Sequence, residues 1–304
     1  MKYKIWLQEW LENYVKPIRK RQTYKKYKCQ VERHISPALG DFEINEISAF
    51  ELQKFMSGLC KNGFASNTIN GIITVLKMSL KQAVKHKIAT VQFTEAIVRP
   101  KVREKKVESF TKNEQTKIQE YISSKKDARL FGIVLCLYTG LRIGELLALT
   151  WEDLDFSKCT VTVSKSCHDE WINGEYFKVI DTPKTEKSER TIPIPKQLLP
   201  LLKEWKKQSV SKYIVSGKNK SGVKVRCYQN TFERMLKRLN ISHKGFHALR
   251  HTFATRALEC GMDIRTLADI LGHDDPTVTL KRYAHSMLEH RIEMMNRVGK
   301  LFTQ

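Results

Sequence analysis

Between Arg99 and Lys106 the chain reads Arg-Pro-Lys-Val-Arg-Glu-Lys-Lys, eight residues with one proline, six charges and no apolar periodicity. Such a stretch has no face to bury, so it reads as a linker. It constrains the fold more than any other feature, because the sequence on either side must then build a core of its own. We place one domain at 1–98, the basic linker at 99–108 and a second domain at 109–304. A chain of 304 residues is long for one domain and comfortable for two, and 41% hydrophobic residues suffice for a core in each.

The first domain reads as helices. Trp6, Leu7, Trp10, Leu11 and Tyr14 recur at helical spacing. Tyr24, Tyr27, Val31 and Ile35 make a second stripe, which Pro37 is expected to end. Ser48-Ala49-Phe50-Glu51 is a capping-box pattern that opens a third helix. Ser66 is placed as the cap of a fourth, running through Ile69, Ile73, Leu76 and Leu80 to about Lys87. Lysines occupy the opposite faces.

The second domain restarts with another capping box, Thr111-Lys112-Asn113-Glu114. A helix from about Asp127 stops at Thr139-Gly140, and the next begins near Arg142. The period then changes. Residues 159–163, 176–181 and 190–194 read as three strands of one small antiparallel sheet, with Lys184 on the turn between the last two. After Pro200 the chain is mainly helical again. The fold class is therefore mainly α with a small antiparallel β-sheet.

The formal net charge is +22, more than solubility requires, which points to a polyanion and most simply to nucleic acid. Residues 1–108 hold 21 Lys+Arg against 10 Asp+Glu, about twice the net charge per residue of the remainder, as suits a clamp on a phosphate backbone. The seven cysteines show no C-x-x-C pair and read as reduced thiols of a cytoplasmic protein. The longest apolar run, Leu130–Tyr138, is too short for a bilayer, and the N-terminus lacks a signal-peptide core. The protein is expected to stay in the cytoplasm with the chromosome.

Three polar clusters follow one another: Thr139-Gly140-Leu141-Arg142-Ile143-Gly144-Glu145-Leu146, then His247-Ala248-Leu249-Arg250, then Leu271-Gly272-His273 with Tyr283 ten residues after His273. Arginine suits a phosphodiester under attack, because its fork donates two parallel hydrogen bonds and keeps its proton. Arg142, starting a helix after a glycine turn, brings backbone donors as well. His247 and Arg250, three residues apart, share a helical face. Tyr283 is the candidate nucleophile, and with an ordinary pKa near ~10 it needs a base or a positive field. His247 is the better candidate base and His273 the better donor to a phosphate oxygen, although the sequence alone does not separate those jobs. A sugar hydroxyl leaves well only when protonated, and Lys184 is the candidate general acid with Lys187 its rival. His285 reads as structural or as a support behind the site residues.

Other chemistries fit less well. No G-x-x-x-x-G-K-[ST] loop is present, so ATP is not implied. Glu152-Asp153-Leu154-Asp155 resembles a magnesium carboxylate cluster but is better explained as a helix end running into a strand. No cofactor or metal is expected.

These stretches, together with Thr182-Pro183-Lys184-Thr185, Ser188-Glu189-Arg190 and Pro37-Ala38-Leu39-Gly40, resemble the tyrosine recombinases, more closely the integrases of phages and conjugative transposons. The resemblance covers almost the whole chain. It implies a four-helix SAM-like core-binding domain, then an α+β catalytic domain of the DNA breaking-rejoining fold with a C-terminal tail at 286–304. It implies that Arg142 and Arg250 bind the scissile phosphate, that Lys184 protonates the leaving 5′ oxygen, and that His247 and His273 complete the pocket. Tyr283 would form a 3′-phosphotyrosyl bond and Glu145 would support the pocket. Because that bond stores the energy of the cut, rejoining would need neither ATP nor metal.

The implied partners are double-stranded recombination sites, bound by a homotetramer that passes through a Holliday junction. An excisionase or a host DNA-bending protein fits as an accessory. Many such integrases carry a further N-terminal arm-binding domain, whereas this chain starts almost directly with the core-binding helices, so recombination is better fixed than integration. Met287, Met294, Val298 and Leu301 form a loose stripe after Tyr283, of the kind that in the family docks on a neighbouring protomer; packing on its own domain is the alternative. Two rival functions stand against this reading: a catalytically silent DNA-binding regulator and a type IB topoisomerase.

Overall fold

The protein is described here from a computed structural model, which covers the chain apart from 91–96, 102–107, 126, 173, 182–188, 218–221, 284–291, 293–294, 297, 301 and 303–304, with backbone alone at 128, 278 and 281–283. The chain divides into two compact units, Met1–Lys105 and Lys106–Gln304. Of the expected linker, 102–107 lies outside the described residues.

The first unit is helical. Helix α1 (Tyr3–Glu9) widens into a π turn at Trp10–Val15. Its apolar stripe is buried through Trp6, Leu7, Trp10 and Leu11, with Tyr14 half-buried. Helix α2 (Arg21–Gln30) buries no residue fully and leads through a second π turn, Val31–Ile35, into α3 (Ser36–Leu39). Pro37 therefore does not end the helical path. It lies in the first turn of α3, where its missing N–H breaks no ladder bond. The π turn has already shifted the bonding, with the Ser36 N–H reaching Val31 O.

Helix α4 (Ala49–Lys61) is capped by Ser48, whose Oγ accepts from Glu51 N at 3.2 Å. Helix α5 (Ser66–Lys85) begins at Ser66 rather than after it, and its Ala65 cap makes no side-chain bond. Ile69, Ile73, Leu76 and Leu80 of α5 are buried against the other helices. Two aromatic polar groups meet at Ser79 of α5. The Tyr3 hydroxyl lies 2.5 Å from Ser79 Oγ, and Trp6 Nε1 donates to Ser79 O at 3.0 Å. Because Ser79 Oγ spends its own proton on Leu76 O, Tyr3 is the donor. Burial pushes the Tyr3 phenol well above its ordinary pKa, so that proton stays in place.

In the second unit, α6 (Lys112–Lys125) starts with a reciprocal cap: Thr111 N donates to Glu114 Oε2 at 2.8 Å and Glu114 N to Thr111 Oγ1 at 3.2 Å. Helix α7 (Ala128–Thr139), opened by Asp127 accepting from Arg129 N, is the centre of the core. Its Phe131, Ile133, Leu135 and Cys136 are all but inaccessible. Helix α8 (Ile143–Ala148) follows, then a 3-10 turn at Trp151–Asp153 that runs into strand β1 (Leu154–Asp155). Asp153 caps that turn through Thr150, and Asp155 caps the next one through Ser157 and Lys158, so both carboxylates have structural work.

Strands β2 (Thr160–Val163), β3 (Ser166–Ile172), β4 (Glu175–Asp181) and β5 (Arg190–Pro193) come next. They form two antiparallel sheets rather than the single one expected: β1-β2-β5, and the hairpin β3-β4. The expected turn joining residues 176–181 to 190–194 is thus not a hairpin turn, since β4 pairs with β3 and β5 with β2. Strand β3 escapes a sequence reading because Ser-Cys-His-Asp-Glu-Trp-Ile alternates poorly; it is fixed by tertiary anchors instead. Asp169 accepts from Val225 N and Arg226 N, both at 2.8 Å, at the start of α10 (Val225–Arg238). Its register partner Lys178 donates to Leu147 O at 2.7 Å, near the end of α8. Each charge meets the helix end of opposite polarity.

Helices α9 (Leu199–Gln208), α11 (His247–Glu259), α12 (Ile264–Leu271) and α13 (Pro276–Tyr283) complete the unit. Helix α11 packs on α7 and holds Phe110, which is fully buried. Phe110 N donates to Thr252 Oγ1 at 2.8 Å, and Arg256 Nη2 donates to Phe110 O at 3.0 Å. No helix among the described residues is long and apolar enough to cross a membrane.

Candidate active site

Two glycines aim the site. Gly140 ends α7 and Gly272 ends α12, at φ +66° and +64°, in the left-handed region where a side chain is strained. Gly140 also has no room for one: a Cβ there would stand 2.6 Å from Phe253 Cδ1 of α11 and 2.7 Å from Leu271 Cδ2 of α12. The reversal after Gly140 delivers Arg142 to the start of α8, and the one after Gly272 delivers His273.

Three arginines from three segments converge on the last carbonyls of α12. Arg190 Nε donates to Ile270 O at 2.7 Å, Arg250 Nη2 to Leu271 O at 2.5 Å and Arg142 Nη2 to Gly272 O at 3.2 Å. A helix C-terminus carries unpaired carbonyls and partial negative charge, so it holds guanidinium groups well. Arg250 also donates from Nη1 to Gly140 O at 2.9 Å, which fastens the end of α7 to the end of α12.

Glu145 lies beneath two of these arginines. It accepts from Arg142 N at 2.9 Å and from Arg142 Nη1 at 2.7 Å. Arg190 reaches both of its oxygens, at 3.1 and 2.8 Å. Burial opposes ionisation of this carboxyl, but the bonds and charge of Arg190, then the charge of Arg142, outweigh it and hold the pKa down at about 2. Glu145 is thus an ionised support for the arginines and not a proton donor. The nearby thiol of Cys136 is pushed well up, by burial first and by the charge of Glu145 second, so it offers no competing nucleophile.

His273 bridges the arginines and α13. Its Nε2 lies 2.9 Å from Arg250 Nη2 and its Nδ1 2.7 Å from Thr279 Oγ1. Arginine only donates, so Nε2 is the acceptor, and the ring proton of the neutral histidine sits on Nδ1, facing Thr279. Nε2 gains a proton to offer a phosphate oxygen only when Arg250 turns its donor elsewhere.

The sequence candidates fare differently. Arg142, Glu145, Arg250 and His273 meet around residues 270–273. Arg142 keeps 36% of its side chain exposed, whereas Arg250 is 1% exposed. His247 is exposed at the first turn of α11, its ring 4.5 Å from that of His251 and edge-on to it. It shares the start of α11 with Arg250, one on the surface and one inside. Tyr283 ends α13, one turn after Thr279, but its side chain lies outside the described residues, as do Lys184, Lys187 and His285. Met287, Met294 and Leu301 of the tail stripe are outside as well, and Val298 is exposed.

Two contributors were not among the candidates. Thr279 is fully buried behind His273. Arg190 had a legible signal: strand period places it on the same face as Ile192, which is buried.

Residues 101–290 match the model of the phage integrase family. The chain belongs to that family. Residues 2–60 match the SAM-like N-terminal domain of phage integrases. Over its length this integrase-family chain is 30% identical to a XerC-like tyrosine recombinase of Caldanaerobacter subterraneus, covering 96% of this chain and 81% of the relative. It is 28% identical to the ICEBs1 integrase of Bacillus subtilis, covering 91% and 77%. Among solved structures, the Tn1549 transposon integrase in complex with transposon right end DNA aligns with a TM-score of 0.80, over 98% of this chain and 100% of that one, at 24% identity. A lambda integrase tetramer bound to a Holliday junction aligns with a TM-score of 0.70, over 91% and 79%, at 20% identity. At these identities the two structures establish the shared fold.

Proposed function

We propose that the protein is a site-specific DNA recombinase that cuts and rejoins DNA through a covalent bond to Tyr283. Arg142 and Arg250 hold the non-bridging oxygens of the scissile phosphate and meet the charge that builds there. The Tyr283 oxygen attacks phosphorus, the bond to the 5′ oxygen breaks, and that oxygen takes a proton from Lys184. The tyrosine proton passes to a histidine, with His247 the exposed candidate. Rejoining is the same step reversed, with the 5′ hydroxyl of the partner strand as nucleophile. By likeness to the lambda integrase, four protomers act on two sites through a Holliday junction. The net charge of +22 suits the DNA partner.

The observation that carries this reading is the convergence of Arg142, Arg250 and His273 at the end of α12, where Arg142 takes Gly272 O from 130 residues away and Arg250 takes Leu271 O from 21. It also sets a condition. With Arg250 1% exposed, no phosphate oxygen reaches it in this conformation, so DNA binding must open the pocket.

The test is a nicked duplex carrying the DNA that flanks the gene, on which a cut releases a short strand and traps the protein. Wild type is expected to form an adduct that survives denaturing gels, and Tyr283→Phe to bind the same DNA without forming one. Adduct formation by Tyr283→Phe, or none by wild type on any flanking sequence, overturns the proposal.

A further inference from the structure

Arg190 lies outside the arginine pair that the recombinase reading uses, yet its ionic contact with Glu145 is deeply enclosed. Its side chain and that of Glu145 are each 6% exposed. Its two terminal nitrogens span both oxygens of Glu145, and its Nε takes Ile270 O. A planar fork with a third donor at fixed geometry joins three elements: β5, which carries it, α8 through Glu145, and α12 through Ile270. A Cβ on Gly272 would lie 3.1 Å from Arg190 Cδ and Nη1, so the fork also sets how close the residue before His273 approaches.

We infer that Arg190 is a positioning residue for phosphate capture: it orients Glu145, which fixes Arg142, and it holds the end of α12, which presents His273. This rests on the recombinase reading. The argument is one of satisfied geometry. Each Glu145 oxygen takes one bond from Arg142, N to Oε2 and Nη1 to Oε1, and one from Arg190, so without Arg190 the second lone pair of each oxygen faces a buried interior. A carboxylate left with one arginine pulls that arginine into the core, and Arg142 would lose its exposed, outward guanidinium. Lysine in place of Arg190 keeps the charge but reaches at most part of the two oxygens and the carbonyl. Outer groups that orient metal ligands change affinity or activity by about 10–100-fold when removed, and the same scale is expected for a group that orients a phosphate-binding arginine.

The experiment compares wild type, Arg190→Gln and Arg190→Lys on the nicked flanking-DNA duplex, once with an ordinary scissile phosphate and once with a methylphosphonate there. The neutral methylphosphonate lacks the charge that Arg142 serves to neutralise. The expected result is a fall in adduct rate of about 10–100-fold for Arg190→Gln, a smaller fall for Arg190→Lys, DNA affinity within about threefold of wild type, and recovery of most of the lost rate on the methylphosphonate. Equal rates for wild type and Arg190→Gln overturn the inference, as does a loss that the methylphosphonate leaves unchanged in both variants. If Arg190→Gln does not fold, Arg190→Lys alone decides by the same criterion. A wild type that forms no adduct on either substrate overturns the recombinase reading itself, which separates the two failures.

Discussion

Arg250 and Arg142 donate to neighbouring carbonyls, Leu271 O at 2.5 Å and Gly272 O at 3.2 Å. The two guanidiniums are thereby held on adjacent carbonyls at one helix end. Like charges at such range repel, and the arrangement persists because helix carbonyls, Glu145 beneath Arg142, and Gly140 O beneath Arg250 offset that repulsion. Once the pocket opens to uncover Arg250, the cluster suits an anion, since a phosphate brings negative charge to three arginines that share one carboxylate.

Arg250→Lys is expected to weaken the fold as well as the chemistry. A lysine ammonium cannot span Gly140 O and Leu271 O while also donating to His273. Leaving one buried carbonyl unpaired costs about 1–3 kcal/mol. Denaturant unfolding of the variant should show that loss, and an unchanged midpoint would mean that the fork does not brace α7 against α12.

Gly140→Ala should destabilise through two effects at once. The residue sits at φ +66°, and its new methyl would press on Phe253 and Leu271 at 2.6 and 2.7 Å. The strain at such a position is about 1–3 kcal/mol before any repacking. A thermal melt that matches wild type would show that the loop re-forms without strain.

Glu145 gives the catalytic unit an acid dependence with a defined sign. Its carboxyl lies at about 2 in the fold, below its ordinary value of 4.5. The contribution to stability is therefore complete above pH ~4.5 and is lost as pH falls from there toward ~2, with a total of about 3 kcal/mol. Melts recorded from pH 6 down to pH 3 should fall more steeply for wild type than for Glu145→Gln. Parallel slopes would contradict the assignment.

Thr279→Val keeps the shape of a fully buried residue and removes the partner of the His273 Nδ1 proton. With Nδ1–H left unpaired, the ring is expected to turn Nε2 away from Arg250 and let the proton redistribute between the ring nitrogens. Nitrogen NMR of the labelled histidine reads this directly, as a change in the two ring shifts. The adduct rate should drop about 10–100-fold. An unchanged tautomer would remove Thr279 from the site.

Much of this was legible locally. The reciprocal cap at Thr111 and Glu114, the Asp127 start of α7, the Thr139-Gly140 stop and the stripe from Ile69 to Leu80 follow from short-range spacing, which is where capping and helix periodicity act. The family resemblance identified Arg142, Glu145, Arg250 and His273, which the fold gathers. Pro37 and Ser66 were misread and β3 was missed: a π turn upstream carries the chain through the proline, Ala65 rather than Ser66 holds the cap position, and Asp169 and Lys178 are held by helix ends far along the chain.

The sequence alone determined a basic chain with helical beginnings, an interrupting charged segment, and polar clusters in a characteristic order. Tertiary structure decided which carbonyls the arginines take, that Arg190 shares Glu145 with Arg142, that Arg250 is enclosed while His247 stands outside, and that two sheets form where one was expected. The reason is physical. Helix caps and stripes depend on neighbours within about one turn, whereas a buried charge takes whatever partner folding brings to it, and that partner can lie more than a hundred residues away.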